Sequence, residues 1–279
     1  MKKTFTFTAL FAALGGLPAF AQERPEIIGK PMSGAMGFPH AATELARDQQ
    51  WLDWLILVII TAICVLVTVL LIYAILRYNS RSNPVPARFA HNAPLEITWT
   101  VVPILILMFI GTFSLPVLFK QQEIPDGDIT IKVTGNQWYW SYEYVDHDFG
   151  FDSFMLDRDE LAENGYEDDE YLLATDNAVV VPVGKIVVMQ VTASDVIHSW
   201  AVPSFGVKQD GVPGRLAELW FKVDDEGLYF GQCSELCGKD HAYMPITVRA
   251  VSEEEYERWL DEAQEEFAGQ PRDFQVAAR

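Results

Sequence analysis

The sequence predicts a hairpin of two transmembrane α-helices followed by an all-β outer domain, a sandwich or barrel. Two stretches, Trp54–Leu76 and Ile97–Phe119, contain no charged residue, and each meets the roughly 20 mostly apolar residues that crossing a bilayer takes. A soluble helix of that length normally carries a polar stripe, which favours the membrane reading. Beyond Lys120 the pattern changes to short runs rich in Val, Ile and aromatic residues, separated by Gly, Pro and Asp. The charge divides at the same place. The whole chain carries a formal −19, yet from Lys120 onward 12 Lys and Arg face 33 Asp and Glu, about −21 for the outer part alone.

The N-terminus reads as a secretory signal over residues 1–21: Lys2 and Lys3, an apolar stretch from about Phe5 to Leu17 that is too short to span, and Ala19-Phe20-Ala21 before Gln22 as a small-x-small cleavage site. Residues 22–53 are then an N-terminal extracytoplasmic segment, and the spans 54–76 and 97–119 follow, joined by the loop 77–96. That loop carries Arg77, Arg81 and Arg88, whereas little excess positive charge precedes the first span. The positive-inside rule puts the loop in the cytoplasm and both chain ends outside. Trp51, Trp54, Tyr73, Tyr78 and Trp99 stand where interfacial aromatics belong. Pro103 and Pro116 in the second span point to packing against a partner that absorbs the backbone defect. Cys64, inside the first span among Ile63, Val65 and Leu66, reads as an inert lipid- or helix-facing residue.

Strands are expected in the outer domain, residues 120–251, at Ile129–Thr134, Trp138–Tyr144, Ala178–Val183, Ile186–Thr192, Ala217–Val223, Leu228–Gln232 and Ile246–Val251. Alternation along the second of these puts Trp138, Trp140, Tyr142 and Tyr144 on one face and Tyr139 and Glu143 on the other. His147 to Asp176 reads as an acidic insertion of low regularity. In the segment 252–279, Ser252 followed by Glu253, Glu254 and Glu255 opens a surface helix to Phe267, and Ala268–Arg279 reads as a mobile tail.

The most telling segment is Gly231–Met244, which gathers Cys233, Cys237, His241 and Met244, with a further imidazole upstream at His198. Thiolate and thioether sulfur suit copper, imidazole suits copper or zinc, and a weak axial Met belongs to copper electron-transfer sites. One thiol serves a mononuclear site, so the second calls for another explanation. Two thiolates can bridge two copper ions, each taking one His, with Met244 axial on one and the Glu235 carbonyl on the other. Three other readings stay open: a tight disulfide, a structural zinc site of two Cys and two His that leaves Met244 idle, and a copper storage or delivery loop.

Four blocks carry a resemblance: Gly135-Asn136-Gln137-Trp138-Tyr139-Trp140-Ser141-Tyr142-Glu143-Tyr144, His198-Ser199-Trp200-Ala201-Val202-Pro203-Ser204, Pro213-Gly214-Arg215, and the loop from Gly231 to Met244. In their order and spacing the chain resembles subunit II of haem-copper cytochrome c oxidases, from the first span to about Val251. The resemblance implies a cupredoxin-like Greek-key sandwich in a two-pass protein of the bacterial inner membrane, with the N-terminus and outer domain in the periplasm. It implies a binuclear copper A centre held by His198, Cys233, Glu235 through its carbonyl, Cys237, His241 and Met244, with no substitution at any of them. Further implied roles are electron acceptance from cytochrome c at Trp138 and docking of that cytochrome at Glu143, Asp176 and Asp195. The Glu235 carboxylate is implied to hold magnesium at the boundary with subunit I, and Glu96 to lie near the entrance of a proton pathway. For these last two, a solvated loop glutamate and a helix-capping carboxylate are the plainer readings. Electrons would pass to haem a in subunit I, which with haem a3 and its own copper reduces dioxygen to water and moves protons; haems belong only to the partner.

A domain this acidic repels nucleic acid and attracts basic proteins, an attraction that weakens as salt rises. No Cys-x-x-Cys-His occurs in the sequence, so a c-type haem has no attachment site in it and the donor is expected to be a separate protein. His40, His91 and His147 have no ligand-spaced neighbours and are assigned no metal. Other function classes remain: a quinol oxidase subunit, expected to lack the copper ligands present here; a nitrous oxide reductase, expected to carry a large extra domain; and a membrane-tethered copper carrier, expected to hold a single exchangeable Cu(I).

Overall fold

The structure, a computed structural model, describes residues 26–267, so the expected signal peptide and the expected tail lie outside the described residues. In chain order the elements are β1 (Ile27–Gly29), α1 (Glu44–Arg77), α2 (Ala93–Gln122), β2 (Ile129–Asn136), β3 (Tyr139–Tyr144), β4 (Phe149–Ser153), β5 (Val179–Pro182), β6 (Val187–Ala193), β7 (His198–Val202), β8 (Val207–Gly211), β9 (Ala217–Phe221), β10 (Gly227–Gln232), β11 (Pro245–Val251) and α3 (Glu253–Glu266).

Helix α1 starts ten residues before the apolar run. Thr43 is its N-cap, accepting from the Ala46 N–H at 3.0 Å while its hydroxyl donates to the Phe205 carbonyl at 2.8 Å. At about 1.5 Å per residue, its 34 residues exceed the ~30 Å hydrocarbon thickness of a bilayer, so the first turns project into the β-domain, where Leu45 and Ala46 are buried. Helix α2 opens on Asn92, whose side chain accepts from the Leu95 N–H, and contains Pro103 and Pro116. It ends against the same domain: Lys120 pairs with Glu44 at 2.6 Å and Asp48 at 2.7 Å, and the Trp220 indole donates to the Lys120 carbonyl. Between these ends the hairpin exposes its apolar side chains on all sides, and no residue of α2 is buried. Such a surface requires lipid or partner helices. Edge-to-face contact of Trp51 with Phe113 joins the two helices near the domain.

The β-domain is a cupredoxin-like sandwich. One sheet has the order β4-β3-β2-β6-β9, the other β1-β10-β11-β5, and β7 and β8 form a separate antiparallel pair. Along β2 the side chains of Ile129, Ile131 and Val133 alternate inward, the period-2 pattern of a sheet with one face on the core. Trp140, Trp200, Phe205, Phe221, Met189 and Ile246 fill the space between the sheets. Helix α3 begins at the predicted cap, Ser252, which accepts from the Glu255 N–H, and it lays Trp259 against Tyr144 and Phe149.

The structure corrects several expectations. The segment before the first helix contributes a strand to the fold: β1 pairs parallel with β10, with Ile27 opposite Leu228. The stretch from His147 contains a true strand, β4, paired with β3, before its turns begin. Strand β3 starts at Tyr139, so Trp138 stands on the preceding turn, half-buried against the core cluster that holds Trp140, Tyr142 and Tyr144.

Candidate metal centre

Strands β10 and β11 pair antiparallel with Gln232 opposite Pro245, so the loop 233–244 is closed at its base. That pairing brings Cys233, one residue past β10, next to Met244, one residue before β11. His198 opens β7, and the Ser234 N–H donates to the Ser199 carbonyl at 2.9 Å, fastening the loop to that strand. Two close approaches fix the arrangement. A Cβ at Gly231 would lie 2.1 Å from the Ala201 carbonyl oxygen, and one at Gly135 would lie 2.7 Å from the His198 Cβ, so β10 and β2 can press against β7 only where they carry glycine.

The donor atoms converge. Cys233 Sγ and Cys237 Sγ are 3.9 Å apart. Around Cys233 lie His198 Nδ1 at 3.9 Å and the Glu235 carbonyl oxygen at 3.4 Å. Around Cys237 lie His241 Nδ1 at 3.5 Å and Met244 Sδ at 3.6 Å. His198, Cys233, Cys237 and Met244 are buried, so water has little access to the sulfur atoms, while His241 is partly open. Burial opposes ionisation of Cys233, but contacts with His198, with the Glu235 and Ser199 backbone and with His241 together outweigh it and lower the thiol to about 7. Burial and the negative charge on Cys233 beside it push Cys237 up to about 12. Cys233 is thus the more readily ionised thiol of the pair, and a cation between the sulfurs favours loss of both protons.

Metal–thiolate bonds are about 2.3 Å long, so sulfurs 3.9 Å apart both lie within bonding reach of one ion, and of a second on the other side of the pair. A disulfide needs about 2.05 Å, and both cysteines are free. Met244 belongs to the cluster, and a set of two thiolates, two imidazoles and a thioether fits copper; a four-ligand zinc site leaves the thioether unused.

The support around these donors is specific. Asp195 accepts at 2.9 Å from His198 Nε2, which leaves Nδ1 facing the thiols, and it also accepts the Gln137 N–H at 2.8 Å. This carboxylate–imidazole pairing is the usual outer support of a metal-bound histidine. Burial raises Asp195, but His198 and the Val196 and Gln137 amides outweigh it and hold the carboxyl below its ordinary value. Burial lowers His198, but its contacts with Cys233 and Asp195 outweigh it and raise the imidazole. The Cys237 carbonyl accepts from Gln137 Nε2 at 2.8 Å and from the Trp138 indole at 3.3 Å. The Trp140 indole donates to the Met244 carbonyl at 3.1 Å, and its ring meets His198 edge-on at 5.9 Å.

Six predicted copper ligands thus come together, with Trp138 and Asp195 beside them. Gln137, Trp140 and Gly135 were not assigned to the centre from sequence; all three lie in the aromatic block, where a core role and a site role look alike. The other predicted residues stand elsewhere. Glu143 faces Lys132 across the β2–β3 pair at 3.4 Å. Asp176 accepts the Phe154 and Asn177 N–H groups, and burial raises its carboxyl. Glu96 accepts the Asn92 N–H at 2.9 Å at the start of α2, a capping contact. Glu235 is exposed, and only its carbonyl is shown at the cluster.

Comparison with known proteins gives the same picture. The family model "Cytochrome C oxidase subunit II, transmembrane domain" matches residues 31–117, and "Cytochrome C oxidase subunit II, periplasmic domain" matches residues 129–251. A cytochrome c oxidase subunit 2 from Cereibacter sphaeroides is 55% identical over 282 residues, covering 94% of this chain and 93% of that protein. The crystal structure of the periplasmic domain of subunit II of cytochrome oxidase of Bradyrhizobium japonicum is 51% identical, with a TM-score of 0.48, covering 52% of this chain and all of the other. A second solved structure, a mixed disulfide between a thioredoxin-like protein and subunit II of cytochrome c oxidase, is 50% identical with a TM-score of 0.45 and covers 52% of this chain and 97% of its match. With both halves matched and a buried cluster of sulfur and imidazole donors at the end of its sandwich, this two-pass membrane chain belongs to the cytochrome c oxidase subunit II family.

Proposed function

We propose that this chain accepts single electrons from reduced cytochrome c at its outer domain and delivers them to haem a of subunit I, where dioxygen is reduced to water with proton translocation. The observation that carries this reading is the convergence of two thiols, two imidazoles, a thioether and a carbonyl on one buried point. Two copper ions bound there supply a one-electron store whose charge change is shared between both metals.

The chain's own residues do the rest. Cys233 and Cys237 would hold the metal through their thiolates, His198 and His241 through imidazole nitrogen, and Met244 and the Glu235 carbonyl would complete the ligand set. Burial keeps solvent from reorganising around the charge as it changes. Asp195 holds the His198 ring by its outer nitrogen. Trp138 offers a half-exposed indole whose N–H touches the carbonyl of a ligand residue at 3.3 Å, a short covalent and hydrogen-bonded route from surface to thiolate. Glu143, Asp176 and Asp195 lie in a domain of about −21, which draws in a basic cytochrome at a rate that falls as salt rises. The exposed Glu235 carboxylate is available to a magnesium ion at the boundary with subunit I, since magnesium accepts one or two protein carboxylates plus waters. Glu96, at the far end of the hairpin, is assigned to the approach to a proton pathway in subunit I.

Both domain-side ends of the hairpin, at Thr43 and Lys120, are tied to the sandwich. A periplasmic outer domain at the bacterial inner membrane, with Arg77, Arg81 and Arg88 in the cytoplasm, satisfies that geometry and the positive-inside rule together. In that oxidising compartment Cys233 and Cys237 must be reduced before metal binds. A thioredoxin-like thiol donor, of the kind captured in a mixed disulfide with the solved relative, is the expected agent.

Trp138→Phe in the assembled oxidase tests the electron path. Reduction by cytochrome c, followed by stopped flow, should slow about tenfold, equivalent to ~1.4 kcal/mol of barrier, with copper content unchanged. An unaltered rate places electron acceptance elsewhere.

A further inference from the structure

The Trp138 indole has a cation over it. Lys239 Nζ lies 5.1 Å from the ring centroid, inside the ~6 Å range in which an ammonium is attracted to an aromatic face. It also pairs with Asp240 at 2.8 Å, with the lysine side chain 77% and the aspartate 36% exposed. The backbone delivers it there. Gly238 runs against the indole with φ of +131°, and a Cβ on it would come within 2.9 Å of the ring. Only glycine serves at that position, and the next residue is thereby carried over the ring. Acidic groups lie beside this point: Asp195, which accepts the Gln137 N–H next to the indole, and Asp240 against the lysine itself.

We propose that Lys239 is a specificity-determining residue for the electron donor. The preferred partner is a c-type cytochrome whose lysines ring its haem edge at a distance and which turns an apolar or anionic patch to Trp138. The inference rests on the reading of Trp138 as the point of electron acceptance. At long range the strongly negative domain attracts any basic donor. At contact, the ammonium over the indole repels a donor lysine aimed at the ring and leaves the peripheral carboxylates as the places where donor lysines settle. Asp240 keeps the ammonium from swinging away. Lys239 touches no metal ligand in this scheme; it governs how the donor sits.

The test compares assembled oxidase carrying Lys239→Gln, Lys239→Arg or Lys185→Gln, using a cytochrome c with lysines at the haem edge. Lys185 pairs with Glu253 at the start of α3, beside the end of the sandwich where β2 and β6 begin, and so controls for the loss of one positive charge anywhere on the domain. Lys239→Gln should lower KM about threefold at low ionic strength, the scale of one solvent-exposed charge interaction, with kcat unchanged and the difference erased near 1 M salt. Lys239→Arg should keep the parent KM, and Lys185→Gln should move it less. The dissociation constant of oxidised cytochrome c, read by calorimetry without electron flow, should follow KM. An unchanged or raised KM in Lys239→Gln, a matching fall in Lys185→Gln, or an Arg variant that behaves like Gln overturns the inference. Trp138→Phe separates the two levels: if it leaves reduction rates intact, the acceptance point falls and Lys239 with it, whereas a slow Trp138→Phe beside an unmoved Lys239→Gln removes only this inference.

Discussion

Cys233→Ser is expected to abolish the metal centre while leaving the sandwich folded. Serine preserves the size of a side chain that sits in the core cluster, but its hydroxyl is a hard, weak donor where copper requires a thiolate. Cys237 is then left without the partner 3.9 Å away that makes two shared ions possible. Copper per chain should fall from two to one or none. Oxidation of cytochrome c should drop by about 100-fold or more, beyond the 10- to 100-fold that loss of an outer-shell contact costs. Metal analysis beside turnover checks this; full copper loading with normal turnover contradicts it.

Trp140→Ala should have the largest effect on stability. The ring is fully buried between the sheets, and truncating a buried aromatic costs about 3–5 kcal/mol. The loss is not confined to the core. The indole is the donor to the Met244 carbonyl, and its edge supports the His198 ring, so the same change loosens a copper ligand from each side of the centre. Denaturant unfolding of the purified protein should show a lower midpoint with an unchanged slope, and a competing chelator should strip copper more readily. Lower stability with unaltered copper retention means that Trp140 serves the core alone.

Much of this architecture could be read from residues. The hairpin was plain because a charge-free run of 23 residues, such as Trp54–Leu76, has few homes other than a bilayer. The cap at Ser252 and the copper loop were plain because their residue types have few other reasons to stand together. What escaped the sequence has physical causes. Strand β7 is buried along all five residues, so no alternation marks it, and β8 reads Val-Lys-Gln-Asp-Gly, with little intrinsic strand preference. Strand β4 hides in an acidic stretch and contains Gly150, and β1, three residues long, exists only through its pairing with β10. Within the site, ligand identity follows from side-chain chemistry, whereas support does not. Gly135 looks like any strand-end glycine until the His198 ring is found against it, and the second task of Asp195, holding both His198 and the Gln137 amide, depends on a contact spanning 58 residues.

On the proposed reading, two thiols hold two copper ions as one redox unit. Copper counted against polypeptide in the purified full-length chain, together with the electron paramagnetic resonance of its one-electron-oxidised form, tests it most directly. Two coppers per chain sharing one unpaired electron equally is the predicted result. Zinc, or a single copper with its spin on one metal, contradicts it.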